Sequence, residues 1–423
     1  MTAALDRAVA ENADRAFEFL EELVSAPSVV GSEQRALDAF VREVESIGLL
    51  ARRLPFSNAP ETDPRAGVTQ TGAELSDGRF QVLASTPGEG GLTLLLNGHI
   101  DVVPASTPEL WTSPPFQPER RNGRMYGRGT ADMKGGFAIG TLALRALQAT
   151  HPNLFSTKRL GFLAVIEEEC SGNGALRAVT QHGVIAPEVV LLEPTDLGLM
   201  VGGVGVLWLD IHVVASAAHA HEAHAHVNAV DLGMRLVSAL RRWSDGLNSS
   251  EPEPSMAAGT CAYNVNLGTV HAGDWASSSP ASAVLGVRVG FPRGWTIEQA
   301  EQEVSRVIAI AVDHDPDFPR QPHVESSGLR APGYLLDVNS RLVTDLSAAH
   351  HEAHGVLPET FTLGSTTDAR TYLAHFGVPA LCFGAVAHDM HGIDESVDLQ
   401  SIIDAARTLA RFILMRFDEG AST

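Results

Sequence analysis

Five stretches of this sequence carry carboxylates or imidazoles, three of them directly after apolar runs, and together they could hold metal ions and activate water. The first is Asn97-Gly-His-Ile-Asp101, which follows Leu92–Leu96. A metal-binding imidazole needs its second ring nitrogen held, so His99 is a candidate ligand and Asp101 the residue to orient it. The second, Met125 to Gly136, sets Asp132 in a glycine-rich turn before a helix. Such a loop could cradle phosphate, but it has neither the Walker spacing nor a GxGxxG opening. Asp132 could instead offer its two carboxylate oxygens to two cations. The third, Glu167-Glu168-Glu169, ends the run Leu160–Ile166 and opens the loop Cys170 to Gly174. Charge runs are commonly solvated helix faces, yet at a strand end adjacent carboxylates can divide labour, one binding metal while its neighbour moves protons. Glu193 follows Val189–Leu192, and His391 opens His391-Gly-Ile-Asp-Glu395 after Pro379–Phe383. Nitrogen and oxygen donors without a thiolate pattern suit one or two divalent ions, zinc, cobalt or manganese.

Side chains so far apart in sequence meet only if a fold delivers them. Asp14–Ser25 and Glu33–Ile47 carry apolar residues at helical spacing, and Phe137–Gln148 reads as a further helix. The short apolar runs named above read as strands, and their alternation with helices predicts an α/β fold with a mixed, largely parallel sheet flanked by helices. In open α/β sheets the site lies beyond the carboxyl ends of the strands, where these polar residues fall. A stretch rich in Pro, Thr and Gly, Pro55 to Asp77, reads as a surface loop. From Val204 the pattern changes to strand (Leu207–Val214), helix (Asn228–Trp243), two strands (Asn264–Val270, Ala283–Val289) and helix (Ile297–Val312). This predicts an inserted α+β unit at 204–319 between two parts of a catalytic domain, 1–203 and 320–423. The second part carries helices at Arg341–Glu352 and Ser401–Phe417.

The chain has 423 residues and a formal net charge of −21. That length favours two domains over one core. That charge repels phosphate backbones and anionic membranes, so a small-molecule partner is expected rather than nucleic acid or membrane. The apolar run Leu197–Leu209 is too short to span a bilayer. No basic, then apolar, leader pattern opens the sequence, and its three cysteines are widely scattered, which together read as cytoplasmic.

The ordered segments NGHIDVVP, NGRMYGRGTADMKGG, IEEECSGNG, EPT, TTDAR and HGIDESVDL resemble the co-catalytic metallopeptidase and amidohydrolase family of acetylornithine deacetylase, succinyl-diaminopimelate desuccinylase, aminoacylase and carboxypeptidase G. The resemblance covers essentially the whole chain. It implies that His99 and Glu193 bind one metal, Glu169 and His391 the other, and that Asp132 bridges them, with a cis peptide often following this aspartate. It implies that Glu168 is the general base and Asp101 the residue orienting a histidine ligand, and it gives Glu167 no catalytic role. The inserted unit resembles the family's lid, through which many members form homodimers or higher assemblies. There, His219 matches an oxyanion-stabilising histidine, in some members supplied by the neighbouring subunit. Arg288 matches an arginine that grips a substrate carboxylate. Thr367, Asp368 and Arg370 match a loop lining the substrate pocket.

The lid departs from the family pattern at Ala215, Ala223 and His226, where glycine, proline and glycine are common, and it adds His221 and His224. His221 and His224 read as a histidine-rich exposed loop, and His226 is left open. The expected reaction is hydrolysis of an N-acyl amino acid or small peptide-like amide. The alternative through the same residues is hydrolytic loss of ammonia from an activated amine, aromatic amines included. A non-catalytic metal-binding protein is disfavoured, because no base or ligand is missing.

Overall fold

The computed structural model describes residues 2–57, 62–69, 78–256 and 260–418. Among these a large mixed sheet runs in the order Leu50–Pro55, Phe80–Ser85, Leu160–Val165, Leu94–His99, Val189–Leu191, Ala380–Cys382, Leu199–Gly203, Tyr334–Leu335, and Thr360–Leu363 also pairs with Leu199–Gly203. The four strands at its centre, Leu160–Val165 through Ala380–Cys382, are mutually parallel. Antiparallel neighbours flank them.

The apolar runs in these central strands follow from burial on both faces. Leu94 and Leu96 face a core built with the helices Ala13–Val24, Gln34–Ser46, Gly135–Thr150 and Leu399–Asp418. Leu95, between them, faces a second core with Ala175 and Ala178 of the helix Asn173–Thr180. Phe40, Phe137 and Phe162 join two helices to the sheet with ring centroids 5.1–5.4 Å apart. Burying each ring contributes about 1.5–3 kcal/mol. Gly136 lets its helix close on the sheet, since a Cβ there would strike the Leu192 carbonyl. That contact brings the turn holding Asp132 beside the strand that delivers Glu193.

A second, four-stranded antiparallel sheet runs in the order Val265–Ala272, Ser282–Phe291, Gly205–Val214, His323–Ala331. Leu207, Leu209, Ile211 and Val213 are buried under the helices Ala229–Ser250 and Ile297–Asp313. The alternate residues Trp208, Asp210 and His212 lie on the half-buried opposite face. Both helices start on side-chain caps. Asn228 accepts from Val230 N and Asp231 N, and Thr296 forms a capping box with Gln299. The boundary read at 319 falls short of the strand His323–Ala331, which pairs with Gly205–Val214. We propose that the inserted unit extends to about residue 331.

A third sheet, Ala387–His388, Ser396–Asp398, Arg124–Tyr126 and Glu119–Arg121, was not legible as strands. It pairs Ser396 with Tyr126 and so clamps the loop after His391 to the turn before Asp132. Of the stretch 55–77, Pro55 ends a strand, while 58–61 and 70–77 lie outside the described residues. The cysteines Cys170, Cys261 and Cys382 are unpaired. No described helix is long and apolar enough to cross a membrane.

Candidate metal centre and substrate cavity

His99 is the last residue of its strand, and its Nδ1 lies 2.9 Å from the Asp101 backbone carbonyl. A proton on Nδ1 donated to that carbonyl leaves Nε2 free to bind a cation. Nε2 faces Asp132 Oδ1 at 3.1 Å and Glu193 Oε2 at 3.8 Å. The other Asp132 oxygen lies 3.3 Å from His391 Nε2, which is also 3.2 Å from Glu169 Oε1. Asp132 therefore stands between two imidazole–carboxylate pairs, and the peptide that follows it is cis. One ligand atom each from His99, Asp132 and Glu169 lie within 4.8 Å of one another.

Electrostatics agrees with a cation-binding role. Burial, reinforced by Asp132, Asp368 and Glu169, pushes the Glu193 carboxyl up to about 8, against the pull of His99. Burial likewise holds Glu168 well above the usual carboxylate range, and Asp368 and Glu193 add to it. Several carboxylates drawn together out of water repel one another unless positive charge joins them. The donor set, two imidazole nitrogens among carboxylate oxygens, fits divalent zinc, cobalt or manganese.

Asp101 touches both the His99 ring and the acidic segment. Its backbone carbonyl, not its carboxylate, contacts the His99 ring, because the carboxylate Oδ1 stands 3.8 Å from Nδ1. The carboxylate instead accepts from Glu168 N at 3.4 Å and Glu169 N at 3.2 Å. One residue thus fixes both the imidazole and the acidic segment. Glu167 points away from the cluster. With Glu33 it receives Arg79, each through a 2.6 Å ion pair, and all three side chains are buried.

Glu395 was missed as a positioning residue, although it lies inside HGIDE. Its Oε1 accepts from Ala131 N at 3.0 Å and Asp132 N at 3.1 Å, and its Oε2 accepts from Gly129 N at 3.0 Å and from Arg128. Arg128 also donates to the carbonyls of His391 and Gly392, at 3.2 and 3.1 Å. The turn carrying Asp132 and the loop carrying His391 are thereby one hydrogen-bonded unit. Gly129 makes this turn at φ +81°, a conformation that favours glycine.

Glu168, Glu169 and His391 open into a cavity of about 650 Å³ whose other wall is the half-buried face of the second sheet, with Arg288 on it. Arg288 donates to Asn264 Oδ1 at 2.8 Å, Ser365 Oγ at 3.0 Å and the Gly364 carbonyl at 3.3 Å. Burial holds its guanidinium below its ordinary pKa, and none of the described carboxylates pairs with it. Thr367 turns inward instead of lining the cavity. Its hydroxyl lies 2.8 Å from Tyr334 Oη and 3.3 Å from Cys382 Sγ, and Ser365 and Thr366 take its expected place on the wall. Arg370 is buried behind Glu168, 3.8 Å from its Oε1 and 3.9 Å from Asp368 Oδ1. His219 is not brought to the cluster. Its Nδ1 lies 2.8 Å from that of His221, and its backbone bridges to Ser278 within the same inserted unit.

The comparisons with known proteins agree with this geometry. The profile of peptidase family M20/M25/M40 matches residues 95–415. Succinyl-diaminopimelate desuccinylase of Xylella fastidiosa (strain M12) is 28% identical over 413 residues, 94% of this chain and 98% of its own. The desuccinylase of Xanthomonas euvesicatoria pv. vesicatoria (strain 85-10) is 30% identical over 80% of this chain and 88% of its own. In structure, the di-peptidase Dug1p from Saccharomyces cerevisiae superposes with a TM-score of 0.81 at 15% identity, covering 99% of each chain. A Bacillus subtilis protein described as a dinuclear metal-binding peptidase from the M20 family gives 0.58 at 14% identity, over 97% of this chain and 99% of its own. The chain belongs to peptidase family M20/M25/M40 and is a metal-dependent amidohydrolase. The desuccinylase relatives lend no support to the ammonia-releasing alternative.

Proposed function

We propose that this chain hydrolyses the amide of an N-acyl amino acid or small peptide-like substrate to a carboxylate and an amine. The carrying observation is the cavity in which Glu168 sits beside the imidazole–carboxylate cluster and faces an arginine that none of the described carboxylates answers. His99 and Glu193 would hold one ion, Glu169 and His391 a second, with Asp132 between them. The ions, zinc, cobalt or manganese, would acidify the attacking water and polarise the amide carbonyl.

In this reading Glu168 takes the proton of the attacking water and returns it to the departing amine. Its burial favours the task, since a carboxylate out of water is a stronger base. Arg370 behind it keeps the base oriented through its charge. Arg288 draws the substrate carboxylate onto the lid, as the acyl-amino-acid chemistry of the desuccinylase relatives requires. His219 would hydrogen-bond the carbonyl oxygen as negative charge develops there. Within its own chain it is engaged in the lid, which favours supply from a second copy through a lid-mediated homodimer.

A product screen tests this. Protein stripped with a chelator and reloaded separately with zinc, cobalt or manganese is offered N-acyl amino acids, dipeptides and aryl amines. New primary amine from the acyl compounds, absent in the stripped protein, is the expected result. Ammonia alone would transfer the assignment to the deaminase chemistry.

A further inference from the structure

The segment Leu23-Val-Ser-Ala-Pro-Ser28 holds no imidazole or carboxylate, yet it touches both turns that set His99 against Asp132. At one end Ser28 binds the strand end that carries His99. Its Oγ donates to the Ile100 carbonyl at 2.6 Å, and its own carbonyl accepts from Val102 N at 3.0 Å. At the other end stands Lys134, two residues after Asp132. Its Nζ donates to the carbonyls of Leu23 at 2.9 Å and Ala26 at 3.1 Å. Ser28 and Lys134 are both buried. The segment also lies ahead of residue 95, where the match to the family profile begins.

Helix geometry explains why a lysine ends here. The last carbonyls of a helix lack intrahelical partners and carry the negative end of its dipole. Leu23 lies in the last turn of Ala13–Val24, so its carbonyl and that of Ala26 just beyond make a seat for an ammonium. A buried ammonium needs fixed acceptors in place of its water, so these two bonds define where Lys134 sits. Lys134 in turn fixes the turn before it. Its backbone N donates to the Gly129 carbonyl at 2.9 Å, and a Cβ on Gly129 would stand 3.2 Å from Lys134 Cδ and 2.5 Å from Val102 Cγ1.

We propose that Leu23–Ser28 is a strap that sets the spacing of His99 and Asp132, with Ser28 and Lys134 as its positioning residues. Both act through the backbone beside a ligand and not on the ion itself. The strap raises metal affinity by ordering the ligand pair, His99 Nε2 and Asp132 Oδ1 at 3.1 Å, before the cation arrives. This rests on the ligand set proposed above.

The test follows zinc binding by calorimetry, using the full chain stripped with a chelator and titrated with zinc alone. Lys134→Met should weaken zinc binding about tenfold or more, and Ser28→Ala about threefold or more. Thr141→Ala is the control. It removes a buried hydroxyl bonded to the Phe137 carbonyl, away from the strap, and should leave zinc affinity unchanged even where it lowers the melting temperature. Both ends belong to one strap, so the double variant should bind zinc no more weakly than Lys134→Met alone. Where Lys134→Met does not fold, Ser28→Ala against Thr141→Ala decides. Wild-type affinity in the strap variants, or losses that multiply in the double variant, overturns the strap and leaves the metal centre standing. His99→Ala checks the ligand set. Zinc binding as tight as in the wild type would remove His99 from that set, and the strap would fall with it.

Discussion

The turn carrying Asp132 is held to Glu395 by the Ala131 and Asp132 backbone amides, Glu395 is itself paired with Arg128, and Glu168 and Glu169 are tied by their backbones to Asp101. On the facing wall, none of the described carboxylates pairs with Arg288. The first region is closed upon itself by groups distant in sequence. The second is a sheet face whose polar atoms wait for something not part of the chain. Reaction centres gain from rigidity because their groups must not reorganise as charge moves. Recognition surfaces gain from being incomplete, because the ligand that completes them is the one selected.

Substitutions can break this contrast, and the base should respond most. Glu168→Gln is expected to lower kcat about a thousandfold while metal content, read by elemental analysis, stays at the wild-type level. Near-normal turnover would remove Glu168 from its role. Stability should separate the two regions next. Arg79→Met strands two buried carboxylates, Glu33 and Glu167, and should cost about 3–5 kcal/mol in urea unfolding. Arg288→Met strands none, and a comparable loss there would erase the distinction. Glu395→Gln should weaken metal binding about 10- to 100-fold in competition with a chelator, with activity recovered at higher metal. In the lid, His219→Ala should lower kcat about tenfold or more, whereas exposed His224→Ala should stay within about 0.5 kcal/mol of wild type in stability and turnover.

How far the sequence foretold these regions follows from what periodicity can carry. His99, Glu168, Glu169 and Glu193 were legible because each follows a run buried on both faces, and such runs stand out in a sequence, while Asp132 and His391 were marked by the segments around them. The lid strands were legible through strict alternation, as in Leu207 to Val214. The strands Glu119–Arg121, Arg124–Tyr126, Ala387–His388 and Ser396–Asp398 were not, since two or three residues carry no period. With that sheet unseen, nothing marked Glu395 as the partner of the Asp132 turn. Thr367 was misplaced for a related reason: spacing finds a loop but not which neighbour turns inward.

The strand Ala380–Cys382 lies between Val189–Leu191 and Leu199–Gly203, near the middle of the large sheet. Those two neighbours are joined by a short loop carrying Glu193, yet the strand that separates them is made almost two hundred residues later. During synthesis the catalytic sheet therefore stays split, its two halves awaiting a segment still inside the ribosome. Such late, long-range closure is slow and leaves strand edges open in the meantime. A growing chain stopped before residue 380 would hold His99, Asp132, Glu169 and Glu193 but lack both His391 and the strand that joins the two halves of the sheet.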